Sequence, residues 1–301
     1  MTILVVGSVA YDTIKTHAAL RERILGGSAT YFSLAASRFA KVRLVAVVGE
    51  DFKEEHVRVF EKHDVCTAGL QRIQGGKTFF WSGVYSDDFV QRTTLETQLN
   101  VFEQFDPLLS EPYRNSEILV LGNIHPDLQL KVLDQIQSPR FSVLDTMPLW
   151  IQNTRQSLEK VISRVDCLVI NDEESFLLSG QRNIHKAAEH ILQMGPRFLI
   201  IKRGEFGAAL YDKNQVFLLP AFPVGKVVDP TGAGDSFAGG LAGHLARETD
   251  ITFAAVREAV VTGTLVASFT VEDFSVDRLM GLTTEELERR RRAFFEATRW
   301  G

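Results

Sequence analysis

Six short apolar runs, each closed by a glycine or a polar residue, constrain the fold of this chain more than any other feature. They are Thr2 to Gly7, Val42 to Gly49, Ile118 to Gly122, Phe141 to Asp145, Cys167 to Asn171 and Phe198 to Lys202. A run that is apolar at nearly every position, rather than at every second one, predicts a strand covered on both faces, the habit of parallel sheets. Between these runs lie stretches with helical spacing: Thr30 to Phe39, Phe52 to His63 (with Phe52, His56, Val59 and Phe60 on one face), Leu128 to Ile136 and Leu149 to Ile162. Strands that alternate with helices predict a three-layer α/β/α sandwich with a mostly parallel central sheet. The residues at the strand ends, Asn123, Asp145, Asn171 and Lys202, should then line one sheet edge, where ligands of open α/β sheets bind.

One stretch breaks the alternation. Thr78 to Tyr85 is aromatic and β-branched, Asp87-Asp88 marks a turn, and Val90 to Thr97 returns, which predicts a hairpin. Gly76-Lys77-Thr78 looks like the end of a phosphate-binding Walker loop, but Gln71 stands where that motif begins with glycine and a strand follows instead of a helix. Lys77 is therefore assigned to the hairpin edge, and Arg92 is read as a solvated hairpin charge.

With 301 residues, 45% of them hydrophobic, and no repeat or Pro/Gly/Ser linker, the chain is expected to form one domain over 1–301. A net charge of -5 argues against a nucleic-acid binder, whose phosphate contacts call for a basic face. The basic run Arg289 to Arg292 sits beside Glu285, Glu286 and Glu288, so a solvated helix face with i,i+4 pairs is expected. Cys66 and Cys167 stand alone, which argues against a disulfide framework or a cysteine zinc spacing and suits a reducing compartment. No histidine pair has zinc spacing; His125, just past a strand end, is the histidine best placed to touch a ligand. The first residues lack a basic leader and no apolar run reaches the roughly 20 residues of a membrane helix, so a cytoplasmic protein without membrane partners is expected.

The chemistry concentrates in Asp229-Pro230-Thr231-Gly232-Ala233-Gly234-Asp235-Ser236. Lys226 to Asp229 reads as a short strand, and a helix, Asp235 to Ala246, follows. Small residues at the turn let backbone amides approach an anion at the positive end of a helix. A carboxylate there, Asp235, repels an anion unless it takes a proton from the group attacking it, which is what phosphoryl transfer needs. The alternative is an ordinary helix start with Asp235 as a first-turn acid. Asp12, five residues beyond the first strand, is placed to hold hydroxyls. Gly26-Gly27 lets the backbone approach a small molecule, and Ser28 can donate or cap the next helix.

Thr-Gly-Ala-Gly-Asp followed by Ser-Phe-x-Gly-Gly closely resembles the signature of the ribokinase-like (PfkB) carbohydrate kinases, and weaker matches spread over most of the chain. The resemblance implies that Asp235 is the catalytic base and that the Gly232, Ala233 and Gly234 backbone forms the anion hole. Gly-Ser-Val-Ala-Tyr-Asp resembles the family's opening motif, whose acid, here Asp12, binds the acceptor with Gly26 and Gly27. Asn171-Asp172-Glu173-Glu174 matches its Asn-x-x-Glu, which implies that Glu174 places Mg2+ beside the phosphates, mainly through water. Lys202-Arg203-Gly204-Glu205-Phe206-Gly207 resembles its nucleotide loop, with Lys202, Gly204 and Gly207 under the ATP phosphates. Asp229 matches the acid near a monovalent cation such as K+. The stretch Val266 to Val276 would lie near adenine, with Phe269 and Phe274 as likely core as ligand contacts. A small β-strand lid from about 12–25 and 78–97, carrying Phe79, Phe80, Trp81 and Tyr85, would cover the acceptor, and the resemblance leaves room for a homodimer through that lid.

The expected function is ATP-dependent phosphorylation of a hydroxyl on a sugar or sugar-like molecule. A nucleoside acceptor is the alternative within the family, and a ligand-binding protein that kept the fold without catalysis is the rival from another class. A dinucleotide reductase is disfavoured, because Phe237 stands where that fingerprint ends in glycine.

Overall fold

The computed structural model describes residues 1–89 and 91–299. Strand β1 (Thr2–Val6) lies inside the main sheet. The chain leaves that sheet for β2 (Ala10–Lys15) and β3 (Leu20–Gly26), then returns through helix α1 (Ser28–Ala36). On one side of β1 it adds β4 (Lys41–Gly49), α2 (Glu54–Lys62) and β5 (Val65–Ile73). A second excursion makes β6 (Phe79–Tyr85) and β7 (Arg92–Gln98), and after the short α3 (Glu111–Arg114), β8 (Ile118–Leu121) enters on the other side of β1. The sheet grows outward through α4 (Pro126–Gln135), β9 (Phe141–Asp145), α5 (Pro148–Asn153), α6 (Arg155–Ile162), β10 (Cys167–Asn171), α7 (Asp172–Ser179), α8 (Ile184–Leu192) and β11 (Phe198–Lys202). Antiparallel β12 (Ala208–Tyr211) and β13 (Val216–Leu219) close that edge, and α9 (Ala233–Leu245), α10 (Phe253–Thr270), α11 (Asp277–Gly281) and α12 (Thr284–Thr298) follow.

The nine-stranded order is β13-β12-β11-β10-β9-β8-β1-β4-β5, so the direction of winding reverses between β1 and β8. That reversal opens a crevice beyond the carboxyl ends of the two strands. Alternate residues feed opposite layers: Ile3 and Val5 join the core with α1, α9 and α10, whereas Leu4 and Val6 join the core with α4, α6 and α8. The second sheet, ordered β3-β2-β6-β7, is the lid. It is pinned by Ile14, Tyr85 and Phe274, and by the Ser275 hydroxyl donating to the Leu25 carbonyl at 2.5 Å.

The six apolar runs all form strands of the main sheet, and all the expected helices exist. Several boundaries differ for local reasons. Leu149 to Ile162 is two helices, because the backbone at Thr154 leaves helical geometry (φ -134°). Val65–Ile73 is an edge strand that its mixed pattern of exposure hides from a search for continuous apolar runs. Lys226 to Asp229 is not a strand; the Val228 and Asp229 amides instead donate to the Val271 carbonyl at 2.8 and 3.4 Å. The hairpin is present as β6 and β7, while its expected first return residue, Val90, lies outside the described residues. Lys77 belongs to the loop before β6, its carbonyl accepting from the Val101 amide at 3.1 Å.

Helix α10 has the length and mean hydropathy (1.2) of a membrane span, yet 61% of it is buried inside the protein against α9 and α12. Among the described residues the basic run on α12 makes its ion pairs outside its own helix. Arg290 and Arg291 reach Glu272 and Glu258, at 2.7 and 2.8 Å, and Arg290 also lies 3.5 Å over the Phe269 ring. Phe269 and Phe274, left open by the sequence, are both buried core residues.

Candidate active site

Helix α9 begins at Gly232, whose φ of +76° makes it a left-handed N-cap. That conformation suits glycine, and a Cβ here would also overlap the Tyr31 ring. Asp235 therefore sits in the first turn of α9. Of the amides in that turn, Ala233 donates to the Pro230 carbonyl at 3.2 Å and Ser236 to the Gly232 carbonyl at 2.8 Å. The amides of Gly232, Gly234 and Asp235 make no such bond among the described residues, so of the expected Gly232, Ala233 and Gly234 set only the Ala233 amide is already engaged.

Lys202, at the end of β11, reaches across to the same turn: a Cβ on Gly234 would lie 2.8 Å from its Nζ. Its ammonium pairs with Asp145 at the end of β9 at 3.4 Å, with both side chains largely buried. Burial works against the charge of Lys202, but Asp145, Glu174 and Asp235 together hold its pKa above the usual lysine range. The cation is thus kept charged beside the first turn of α9. Asp145 was legible only as a polar strand end; its partnership with Lys202 depends on β9 and β11 flanking β10.

Asp235 itself is pushed up to about 8, by burial first and then by Asp145 and Asp12, against the opposing effects of Lys202 and Arg92. Part of its surface remains open to solvent. Glu174 is 6% exposed and lies one strand away. It forms a reciprocal capping box with Asn171: the Glu174 amide donates to Asn171 Oδ1 and the Asn171 amide donates to Glu174 Oε2, both at 2.8 Å. Burial raises Glu174 to about 7 despite Lys202. The capping box engages Glu174 Oε2 and the Asn171 side chain. Among the described residues no three His, Cys, Asp or Glu side chains converge as a ready-made metal cage. A magnesium that keeps its waters and binds with phosphates needs only one or two carboxylates.

Asp12 lies on lid strand β2 rather than in a loop after β1, paired opposite Ile24 and Trp81. It is 5% exposed and pushed up to about 7 by burial and by Asp229, against a hydrogen bond from the Gly27 amide. A side chain at Gly26 would overlap its carboxylate, and Gly27 (φ +93°) turns the chain into α1. Ser28 does not cap α1. Its hydroxyl instead lies 3.2 Å from that of Ser8, and the Ser28 amide donates to the Ser8 hydroxyl at 3.0 Å, so the β1 and α1 loops are tied together. Asp229 is 1% exposed; Oδ1 accepts from the Thr231 amide at 2.9 Å, while Oδ2 has no partner among the described residues.

Tyr85, expected in the lid, and Arg92 and Tyr31, which the sequence did not assign to the site, flank it from the lid and α1. The Tyr85 hydroxyl is 3.0 Å from that of Thr231, which joins lid and anion turn directly. Arg92 is exposed on β7, as expected of a hairpin charge, and lies 5.4 Å over the Trp81 ring; its charge lowers the pKa of Asp12, Glu174 and Asp235. Tyr31 lies under Gly232. No local pattern marks these residues, because each is set by the docking of one element on another. His125 caps α4, accepting from the Asp127 amide at 3.2 Å, and packs edge-on against Trp150. Gly204 (φ +54°) and Gly207 (φ +92°) shape the turn after β11, and a Cβ on Gly207 would run into the backbone at Leu219 and Pro220.

A doubly wound sheet that gathers bare amides at a helix N-terminus, a largely buried lysine and a first-turn carboxylate beyond the carboxyl ends of its strands has the groups that phosphoryl transfer needs. The sequence profile of the pfkB family carbohydrate kinases matches residues 2–280, and the chain belongs to that family. The cytidine kinase of Thermococcus kodakarensis is 30% identical over 252 residues, 81% of this chain and 88% of that protein. The inositol 3-kinase of Arabidopsis thaliana is 23% identical over 310 residues, 96% of this chain and 80% of that protein. Among solved structures, the nucleoside kinase of Methanocaldococcus jannaschii, 21% identical, superposes with a TM-score of 0.78 over 97% of this chain and 98% of that one. The chain is thus a sugar or nucleoside kinase by family. Kinases of this family use ATP, with magnesium as their usual metal.

Proposed function

We propose that this kinase transfers the γ-phosphate of ATP to a hydroxyl of a sugar moiety, with Asp235 as the base that takes the hydroxyl proton. The observation that carries this reading is the placement of Asp235 on the same helical turn as the free Gly234 and Asp235 amides, beside Lys202. The amides and the ammonium stabilise charge on the moving phosphoryl group, and the carboxylate stands where the attacking oxygen must lie. Magnesium, held with the phosphates near Glu174, supplies further neutralising charge. Asp12 and the Gly26-Gly27 turn bind the acceptor, and Asn171, Lys202, Gly204 and Gly207 form the nucleotide side. The buried, unshared Oδ2 of Asp229 suits a monovalent cation such as K+. Exposed Cys66 and buried Cys167, both free, agree with a reducing, cytoplasmic setting.

Two observations favour a nucleoside as the molecule that carries the sugar. A cytidine kinase is among the similar proteins. Trp150 donates to Asn123 at 2.8 Å and packs on His125, which places aromatic surface just past the ends of β8 and β9, where a base could stack. A free sugar is supported by the short connection between Asp12 and Gly26, which is used up by the β2–β3 hairpin and leaves no added segment for a base. The lid is also the surface through which we place a homodimer. A coupled ADP-release screen over cytidine, other nucleosides, ribose, fructose and inositol tests the reading. ADP release that depends on one of these supports it, and no acceptor-dependent release from any sugar, polyol or nucleoside overturns it.

A further inference from the structure

Asp12 stands on lid strand β2 and Asp235 on the first turn of α9, so the spacing between the two carboxylates depends on how the lid docks on the body. Strands β2 and β6 pair in parallel without a register shift, Asp12 beside Trp81 and Ile14 beside Gly83. Alternate residues of a strand share a face, so Asp12, Ile14, Trp81 and Tyr85 lie on one face of the lid sheet. Tyr85 ends β6, with its ring buried beside Ile14 and Phe274. Its hydroxyl lies 3.0 Å from that of Thr231, the residue before the Gly232 N-cap of α9. Thr231 is itself tied into the turn: its amide donates to Asp229 Oδ1 at 2.9 Å, and the Val228 and Asp229 amides donate to the Val271 carbonyl. The bond from Ser275 to the Leu25 carbonyl holds a different lid strand to a segment beyond α10, and so does not set the position of this turn.

We propose that Tyr85 is a positioning residue for phosphoryl transfer: by bonding Thr231 it fixes the spacing between the acceptor that Asp12 holds and the carboxylate of Asp235. This rests on the kinase reading above and deepens it. The groups that bind acceptor and nucleotide lie on their own elements and keep their contacts when the bond is absent. What changes is how often the acceptor hydroxyl, the base and the α9 amides are aligned at once, and small misplacements of reacting groups cost rate rather than affinity. The bond therefore acts on kcat.

The test compares the full-length wild type with Tyr85→Phe, Thr231→Val and the double variant, using whichever of cytidine, ribose, fructose and inositol gives the fastest ADP release. Phenylalanine keeps the ring against Ile14 and Phe274, and valine keeps the shape of threonine, so each single change removes one hydroxyl of the pair. Each should lower kcat about fivefold, the worth of one neutral hydrogen bond, with KM for ATP and for the acceptor changed less than about twofold. The double variant should also lose about fivefold, not the roughly 25-fold expected of independent effects. Hydrogen exchange of the ligand-free proteins reads the same tie without an acceptor: Tyr85→Phe should speed exchange over 228–236, and Thr231→Val over 79–85. If the wild type turns over and either single variant keeps kcat within twofold, if the loss falls on KM instead, or if the two losses multiply, the role of Tyr85 is overturned while the kinase reading stands. Exchange that is unaltered in both variants overturns it as well. If the wild type phosphorylates none of these acceptors, the acceptor reading falls, and the role of Tyr85 falls with it.

Discussion

Replacing Asp235 by asparagine preserves the shape of the first turn of α9 and removes the group that takes the proton. Loss of a general base typically costs about 10² to 10⁴ in rate, or about 3 to 5 kcal/mol in the barrier. The same substitution should stabilise the ligand-free fold at alkaline pH, and the sign follows from the raised pKa. The unfolded chain ionises this carboxyl near its ordinary 3.8, whereas the folded protein keeps the proton until about 8. Stability contributed by the neutral carboxyl is therefore complete below about pH 4 and is lost as the pH rises through that window to about 8. At about 1.36 kcal/mol per pH unit the full loss would approach about 6 kcal/mol, and water reaching the partly exposed side chain reduces it to roughly half. Asp235→Asn should thus melt several degrees above the wild type at pH 8.5, with the gap shrinking towards pH 5. Turnover is read by coupled ADP release at saturating ATP and acceptor, and ATP binding by calorimetry should persist. A variant that retains more than a tenth of the wild-type kcat would refute the assignment of the base. A melting difference that is the same at pH 5 and pH 8.5 would refute the account of its environment.

Three other substitutions probe the remaining parts of the site. Glu174→Gln should raise the magnesium concentration for half-maximal rate several-fold while leaving the acceptor KM nearly unchanged; an unaltered magnesium titration would reduce Glu174 to its capping bond with Asn171. Asp12→Ala should raise the acceptor KM by about 10²-fold or more without changing the ATP requirement, because a site built for hydroxyls loses a buried acceptor; an unchanged acceptor KM in steady-state assays would exclude it. Gly232→Ala puts a Cβ into the Tyr31 ring and a non-glycine residue at φ +76°, so it should destabilise the fold by about 1–3 kcal/mol and lower kcat sharply. Wild-type melting and turnover in that variant would show that the turn tolerates what its geometry forbids.

Local chemistry made much of this protein legible. Continuous apolar runs such as Cys167 to Asn171 have no stable use except as strands covered on both faces, so the parallel sheet could be read directly. The Gly232 to Asp235 turn was visible because a left-handed glycine N-cap and a first-turn carboxylate are properties of neighbouring residues. Glu174 and Asn171 were visible together for the same reason, and their mutual capping bond is the part of that pattern the helix start itself uses. Where the signal depended on periodicity alone it weakened. The half-exposed edge strand Val65–Ile73 was passed over, and Lys226 to Asp229 was taken for a strand when its amides had a partner in the Val271 carbonyl.

Long-range approach decided the rest. The pairing of Lys202 with Asp145, the bond between Tyr85 and Thr231, and the burial of Tyr31 under Gly232 each join residues far apart in the chain. Such contacts depend on strand order and on how the lid docks, and nothing in the residues flanking any one partner encodes them. The pKa values of the acids belong to this second class as well, since they are set by how much water the assembled crevice excludes and by which charges it brings together. The sequence by itself determined the sheet and set Asp235 in the first turn of a helix behind Gly232; tertiary structure decided which cations, donors and neighbouring acids surround that carboxylate, because those are properties of the space between elements.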